Sequence, residues 1–206
     1  MKSKLRPSIR RKRLICKLIF ILIICTPLII YMSLNRVDKV CGLPYQDLPT
    51  REPQTIEAAT KVEAPIYNIP LSKELQQFTY EKCLEYDVDY LMALGLMDAE
   101  SDFQVDVISP TDDYGIMQIN KENHDYLNDA FNKEIDFLDA KQNIEAGVFY
   151  LSGICENNTD PNRILMIYNM NSSIAQALWD DGRESTAYSR EVMRSMEKIR
   201  GKKVQI

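Results

Sequence analysis

A chain of 206 residues allows one domain with additions, and its net charge of −5 conceals a division. Residues 1–40 carry ten Lys and Arg against one Asp, whereas residues 41–206 carry fifteen against twenty-nine Asp and Glu, a net −14. That acidity excludes binding of nucleic-acid phosphates and gives no long-range attraction to an anionic surface, so any polymer must be gripped locally, in a cleft. The one histidine, His124, and the absence of His-x-x-x-His or Cys-x-x-Cys spacing argue against zinc, and no cofactor is expected.

Residues 1–13 form a basic tail with Lys2, Lys4, Arg6, Arg10, Arg11, Lys12 and Arg13. Within residues 14–34, Leu18 to Leu34 runs seventeen residues without a charge, long enough to span a bilayer. The basic flank predicts a single-pass cell-membrane anchor with the N-terminus in the cytoplasm and the remainder outside. A cleaved signal peptide is the alternative, but the run is longer than a usual h-region and no A-x-A site follows it. Residues 35–70, punctuated by Pro44, Pro49, Pro53, Pro65 and Pro70, read as a linker.

Residues 71–206 read as one mainly α domain, because no strand-like alternation of any length appears. Ser72 caps a first helix over 73–86, and Asp89 caps a second. The run Leu91-Met92-Ala93-Leu94-Gly95-Leu96-Met97 is apolar on nearly every side and predicts a buried helix. Glu100 lies at its C-terminal end, where partial desolvation suits a carboxyl group that must hold a proton near neutral pH. The stretch 102–114 is too irregular for a helix. A short helix is expected over 117–127, an amphipathic one over 139–154 with Ile144, Val148 and Leu151 on one face, and another over 161–169. Cys83 and Cys155 leave two readings open, a bridge if the domain is extracytoplasmic or two buried free thiols.

Glu100-Ser101-Asp102-Phe103, Ser109 and Gly115-Ile116-Met117-Gln118 stand in order, Ser109 nine residues and Gln118 eighteen residues after Glu100. This set resembles the catalytic core of the lysozyme-like lytic transglycosylases, the SLT-domain group that includes soluble lytic transglycosylases and goose-type lysozymes. Asn143, Ile144, Gly147, Tyr150 and Leu151 match a further motif of that group and read as packing residues. Ile167-Tyr168-Asn169 is similar to its Ala-Tyr-Asn-Ala-Gly, with Ile167 for Ala and Asn171 for Gly. Thr186, Tyr188 and Val192 are similar to its closing motif, with one residue fewer between Thr and Tyr.

The resemblance implies a lysozyme-like fold of the α+β lysozyme superfamily and peptidoglycan glycan strands as substrate. Glu100 would protonate the bond between N-acetylmuramic acid and N-acetylglucosamine, then act as base while a 1,6-anhydro ring closes. It further implies that Ser109 bonds near the muramic N-acetyl group, that Gln118 and Asn169 position Glu100 or the sugar, and that Tyr168 orients the acid. Met117 would line a sugar subsite and Tyr188 would close the cleft. A second, local resemblance links residues 111–120 to c-type lysozymes. There Asp113 would be the second carboxylate of a hydrolase, or else cap a turn. Two further classes remain, an inert glycan-binding module and a wall-opening component of a secretion or conjugation machine.

Overall fold

The computed structural model describes residues 62–204. The tail expected at 1–13, the membrane span at 14–34 and most of the linker at 35–70 lie outside the described residues. No helix among those described is long and apolar enough to cross a membrane.

The packed chain begins earlier than the boundary expected at residue 71. Ala64, Tyr67 and Leu71 are buried, and Gln76, itself 1 % exposed, holds this strap in place. Its side-chain oxygen accepts from Tyr67 N–H at 2.8 Å, while its amide nitrogen donates to the carbonyls of Tyr67 at 3.0 Å and Leu71 at 2.8 Å. Tyr67 also forms an antiparallel bridge with Lys203, flanked by Asn68 N–H to Lys202 O at 2.9 Å and Val204 N–H to Ile66 O at 2.8 Å. Pro65 and Pro70 make this segment read as linker. An irregular segment can nevertheless be buried once a side-chain amide satisfies its backbone.

Helix α1 (Lys73–Glu85) starts at Ser72, whose hydroxyl accepts from Leu75 N–H at 3.2 Å, and α2 (Tyr90–Ser101) starts at Asp89, which accepts from Met92 N–H at 2.7 Å. Helix α2 is the axis of the domain, with Met92, Ala93, Leu94, Gly95, Leu96 and Met97 all buried. Each large side chain there contributes about 1.5–3 kcal/mol by leaving water. The helix ends at Asp102, which turns left-handed at φ 52°.

The expectation of a helix from residue 117 and of no strand is corrected here. Strands β1 (Asp113–Tyr114) and β2 (Ile119–Asn120) pair antiparallel, followed by a 3-10 turn at Lys121–Asn123 and α3 (His124–Phe131). Gly115 at φ +71° and Gln118 at φ +47° bend the intervening loop, a conformation no helix accommodates. Two-residue strands are also too short to leave an alternating pattern in sequence.

Helix α4 (Ala140–Cys155), capped by Asp139, buries Ile144, Val148 and Leu151 and packs on α1 and α5 (Pro161–Asn169). Helix α6 (Ser172–Asp180) was not expected; the Asn171 side chain caps it by accepting from Ile174 N–H at 2.9 Å. Helix α7 (Ala187–Arg200) opens on a reciprocal Thr186–Ser189 capping box and lays Val192, Met196 and Ile199 on the core along α2. Cys83 and Cys155 are free thiols. Burial pushes both thiols up, Cys155 to about 11, so neither is a nucleophile at neutral pH.

Candidate active site

The last turn of α2 carries Glu100 out of the core, half-buried, to the wall of a cleft. Beside it, the first turn of α7 presents Tyr188, whose hydroxyl donates to Glu100 Oε1 at 2.6 Å. The opposite side is the hairpin: Asp113, Gln118, Ile119 and Asn120 line the cleft, and Tyr168 and Asn169 close its end from α5. Burial first and the charge of Glu100 second hold both Tyr168 and Tyr188 hydroxyls well above their ordinary range. Both tyrosines therefore remain neutral donors at any physiological pH.

The hairpin loop is clamped from three helices. Ser101 Oγ, next to Glu100 in α2, lies 2.8 Å from Ile116 O. The Asn143 amide in α4 spans Tyr114 O at 2.8 Å and Met117 N–H at 2.9 Å. Tyr168 OH in α5 donates to Met117 O at 2.9 Å. The end of the helix that carries Glu100 and the cleft floor are thus held to one another through hydrogen bonds.

A family model, that of the transglycosylase SLT domain, matches residues 78–189. The chain belongs to this family. The matched segment runs from within α1 to the first turn of α7, so the SLT domain contains Glu100, the whole hairpin, Tyr168 and Tyr188, while the strap and most of α7 lie outside it. Among solved structures, an inactive mutant of the lytic transglycosylase Slt from Pseudomonas aeruginosa is similar at 14% identity and a TM-score of 0.51. That similarity covers 58% of this chain and 22% of that one, and shares the fold alone. The 70 kDa soluble lytic transglycosylase from Escherichia coli is similar at 18% identity and a TM-score of 0.47, covering 63% of this chain and 24% of that one. The chain therefore spans about a quarter of the length of either. No curated protein matches the sequence significantly.

The SLT domain brings Glu100, Asp113, Gln118, Tyr168 and Asn169 to one cleft and Tyr188 onto Glu100. Three other placements differ from expectation. Met117 does not line a subsite: its side chain is fully buried against Gly147, and only its backbone serves the cleft floor. Tyr168 does not reach the acid through its hydroxyl, which is directed to Met117 O; the tyrosine donating to the acid is Tyr188. Ser109 stands behind Asp113, donating to its Oδ2 at 2.7 Å.

Asp113 is 3 % exposed and held by neutral donors, Ser109 and Thr111 (2.6 Å) on Oδ2 and Asn120 Nδ2 (2.9 Å) on Oδ1. These donors fix the Asp113 carboxyl group in place. Sequence reasoning missed Ile119, Asn120, Asn123, Tyr150 and Asn171 as cleft residues. Asn120 left a signal at the end of the ten-residue stretch that resembles c-type lysozymes, while Tyr150 and Asn171 stood in matched motifs without pointing to the cleft. Tyr150 reads as one more apolar position on α4, and its place at the cleft emerges only from how α4 meets α5.

Proposed function

We propose that this SLT domain cleaves peptidoglycan glycan strands at the β-1,4 bond between N-acetylmuramic acid and N-acetylglucosamine, releasing 1,6-anhydromuramoyl ends. The observation that carries the reading is Glu100 in a polar cleft with the Tyr188 hydroxyl 2.6 Å from its Oε1. The neutral Glu100 carboxyl gives its proton to the glycosidic oxygen as the bond from muramoyl C1 breaks. The carboxylate then takes the proton of the muramoyl 6-hydroxyl while O6 bonds to C1. The proton returns to where it began and no water is consumed. General acid–base catalysis supplies about 10²–10⁴ of the rate, and positioning by the clamped floor supplies more. Asn169 and the side-chain oxygen of Gln118, whose amide nitrogen is bonded to Val107 O and Gly115 O, offer groups that pair with sugar hydroxyl and acetamido groups.

Asp113 favours a second reading. A fixed carboxylate in the same cleft is what a retaining or inverting muramidase uses beside its acid, with water entering the product. Full-length chain incubated with peptidoglycan sacculi, followed by mass analysis of the soluble muropeptides, separates the two. Anhydro products from wild type, little change for Asp113→Asn and a loss of about 10²-fold or more for Glu100→Gln support the first reading. Water-added products together with an inactive Asp113→Asn establish the second, and release at near wild-type rate by Glu100→Gln defeats both.

The cell-membrane anchor belongs to the same proposal. Residues 14–34 would hold the domain on the outer side of the membrane with residues 1–13 in the cytoplasm. A wall-cutting domain so placed suits local opening of the wall for a secretion or conjugation machine. Protease added to wall-stripped cells digests the domain in this orientation, and full protection defeats it.

A further inference from the structure

Asn143 has no part in the chemistry just proposed. It lies on α4, has no exposed surface and does not line the cleft, yet both of its amide donors and its carbonyl oxygen are committed to the hairpin and the segment behind it. Nδ2 donates to Tyr114 O at 2.8 Å and to Phe137 O at 2.9 Å, and Oδ1 accepts from Met117 N–H at 2.9 Å. Tyr114 O and Met117 N–H are the first and fourth residues of the bend through Gly115, the two groups an ordinary tight turn would join directly. Here a side-chain amide from a helix stands between them. The bend is therefore wider than a self-closed turn and is fixed to α4 in place and orientation. Gly115 accommodates this arrangement, since any Cβ would overlap the Asn143 carboxamide.

We propose that Asn143 is a positioning residue for the acid: it sets where the cleft floor lies relative to Glu100. The connection runs through two hydrogen bonds. The loop held by Asn143 passes Ile116 O to Ser101, next to Glu100, and Met117 O to Tyr168 in the cleft wall. It is continuous on one side with Asp113 and on the other with Gln118, Ile119 and Asn120, all lining the cleft. Freed from α4, the loop can close on itself, and the sugar would then sit displaced from the carboxyl that must protonate it. A displacement of about 1 Å costs up to about 10²-fold in rate even when the residue responsible touches no substrate.

The inference rests on the reading of this cleft as a glycan-cleaving site, and the test separates the two. Full-length wild type, Asn143→Asp and Asn143→Ser are compared on peptidoglycan sacculi, with the folded fraction of each measured by circular dichroism at the assay temperature. Asn143→Asp keeps the acceptor for Met117 N–H but loses both donors while ionised. It recovers one donor when the carboxyl is protonated. The expected result is a fall in kcat per folded molecule of about 10–100-fold for both variants, with KM changed by less than about threefold. The deficit of Asn143→Asp, unlike that of Asn143→Ser, narrows as pH is lowered. Unchanged kcat per folded molecule overturns the proposal, as does a rise in KM at constant kcat. Failure of both variants to fold makes Asn143 a determinant of the fold and also overturns it. A wild type that releases nothing from sacculi instead defeats the functional reading on which the proposal stands.

Discussion

Replacing Gly115 by Ala tests the geometry of the cleft floor without touching a reacting group. Gly115 sits at φ +71°, where an alanine pays about 1–2 kcal/mol for its backbone conformation. Its Cβ would also overlap the Asn143 carboxamide and the Phe137 carbonyl oxygen. Neither can swing aside: one is a fully buried side chain with its bonds made, the other is backbone. Overpacking of that kind costs about 1–3 kcal/mol, and the reduced freedom of the unfolded chain returns only about 0.4–1 kcal/mol. The net loss is about 2–4 kcal/mol, which for a domain of this size lowers Tm by ~10 °C. Gly182 is the control. It has φ +79° with nothing within 4 Å of an added Cβ, so Gly182→Ala suffers the backbone strain without the overlap. Thermal unfolding of both variants by circular dichroism isolates the steric part. If Gly115→Ala is no less stable than Gly182→Ala, the floor is not clamped as described.

Tyr188→Phe removes a donor on Glu100 while leaving the ring; that bond strengthens as the carboxyl loses its proton, and hydrogen bonds to a charged group contribute about 1.5–3 kcal/mol, so kcat on sacculi should fall about 10–100-fold with Tm nearly unchanged. Tyr67→Ala empties a buried site on the strap and should cost about 3–5 kcal/mol in urea unfolding, whereas a linker residue would register within about 0.5 kcal/mol. His124 is half-buried and stacked on Phe137 at 3.6 Å between ring centres; burial, opposed by its contact with Ile119 O and aided by Lys121, lowers its pKa from the ordinary 6.5. The unfolded chain then takes up the proton more readily, so stability is full above about pH 6.5 and declines as pH falls from there through the lowered folded value. Urea midpoints measured from pH 7.5 to 5 should show that decline, and His124→Phe should flatten it.

Helices α1, α2, α4 and α5 were legible because their signals are local. Ser72, Asp89 and Asp139 each cap the helix that follows, and the apolar run 91–97 has no other use than burial. Glu100 was legible for the same reason, standing one turn beyond that run among residues at characteristic spacing. What stayed hidden depends on partners far along the chain. Nothing near Met117 in sequence says that Gly147 receives its side chain, and nothing near Tyr67 says that Lys203 pairs with it. Tyr168 and Tyr188 exchanged their expected duties because a hydroxyl's target is set by the angle between helices, which spacing does not encode. The hairpin was hidden by its brevity and by left-handed Gln118, a residue type that rarely marks such a bend.

The crossing of α2 and α7 at Gly95 acts as a fulcrum for the acid. A Cβ at Gly95 would come within 2.6 Å of Met196 Cγ and 3.2 Å of Val192 O, so a missing side chain sets the spacing of the two helices. Glu100 lies five residues further along one arm, a rise of about 7.5 Å, and Tyr188 lies about one turn beyond Val192 on the other. Wedging the arms apart at the fulcrum would lever the tyrosine off the carboxyl, because a 2.6 Å hydrogen bond tolerates only a few tenths of an ångström. The tuning of the acid is therefore exposed to changes deep in the core, where a substitution meets neither sugar nor solvent.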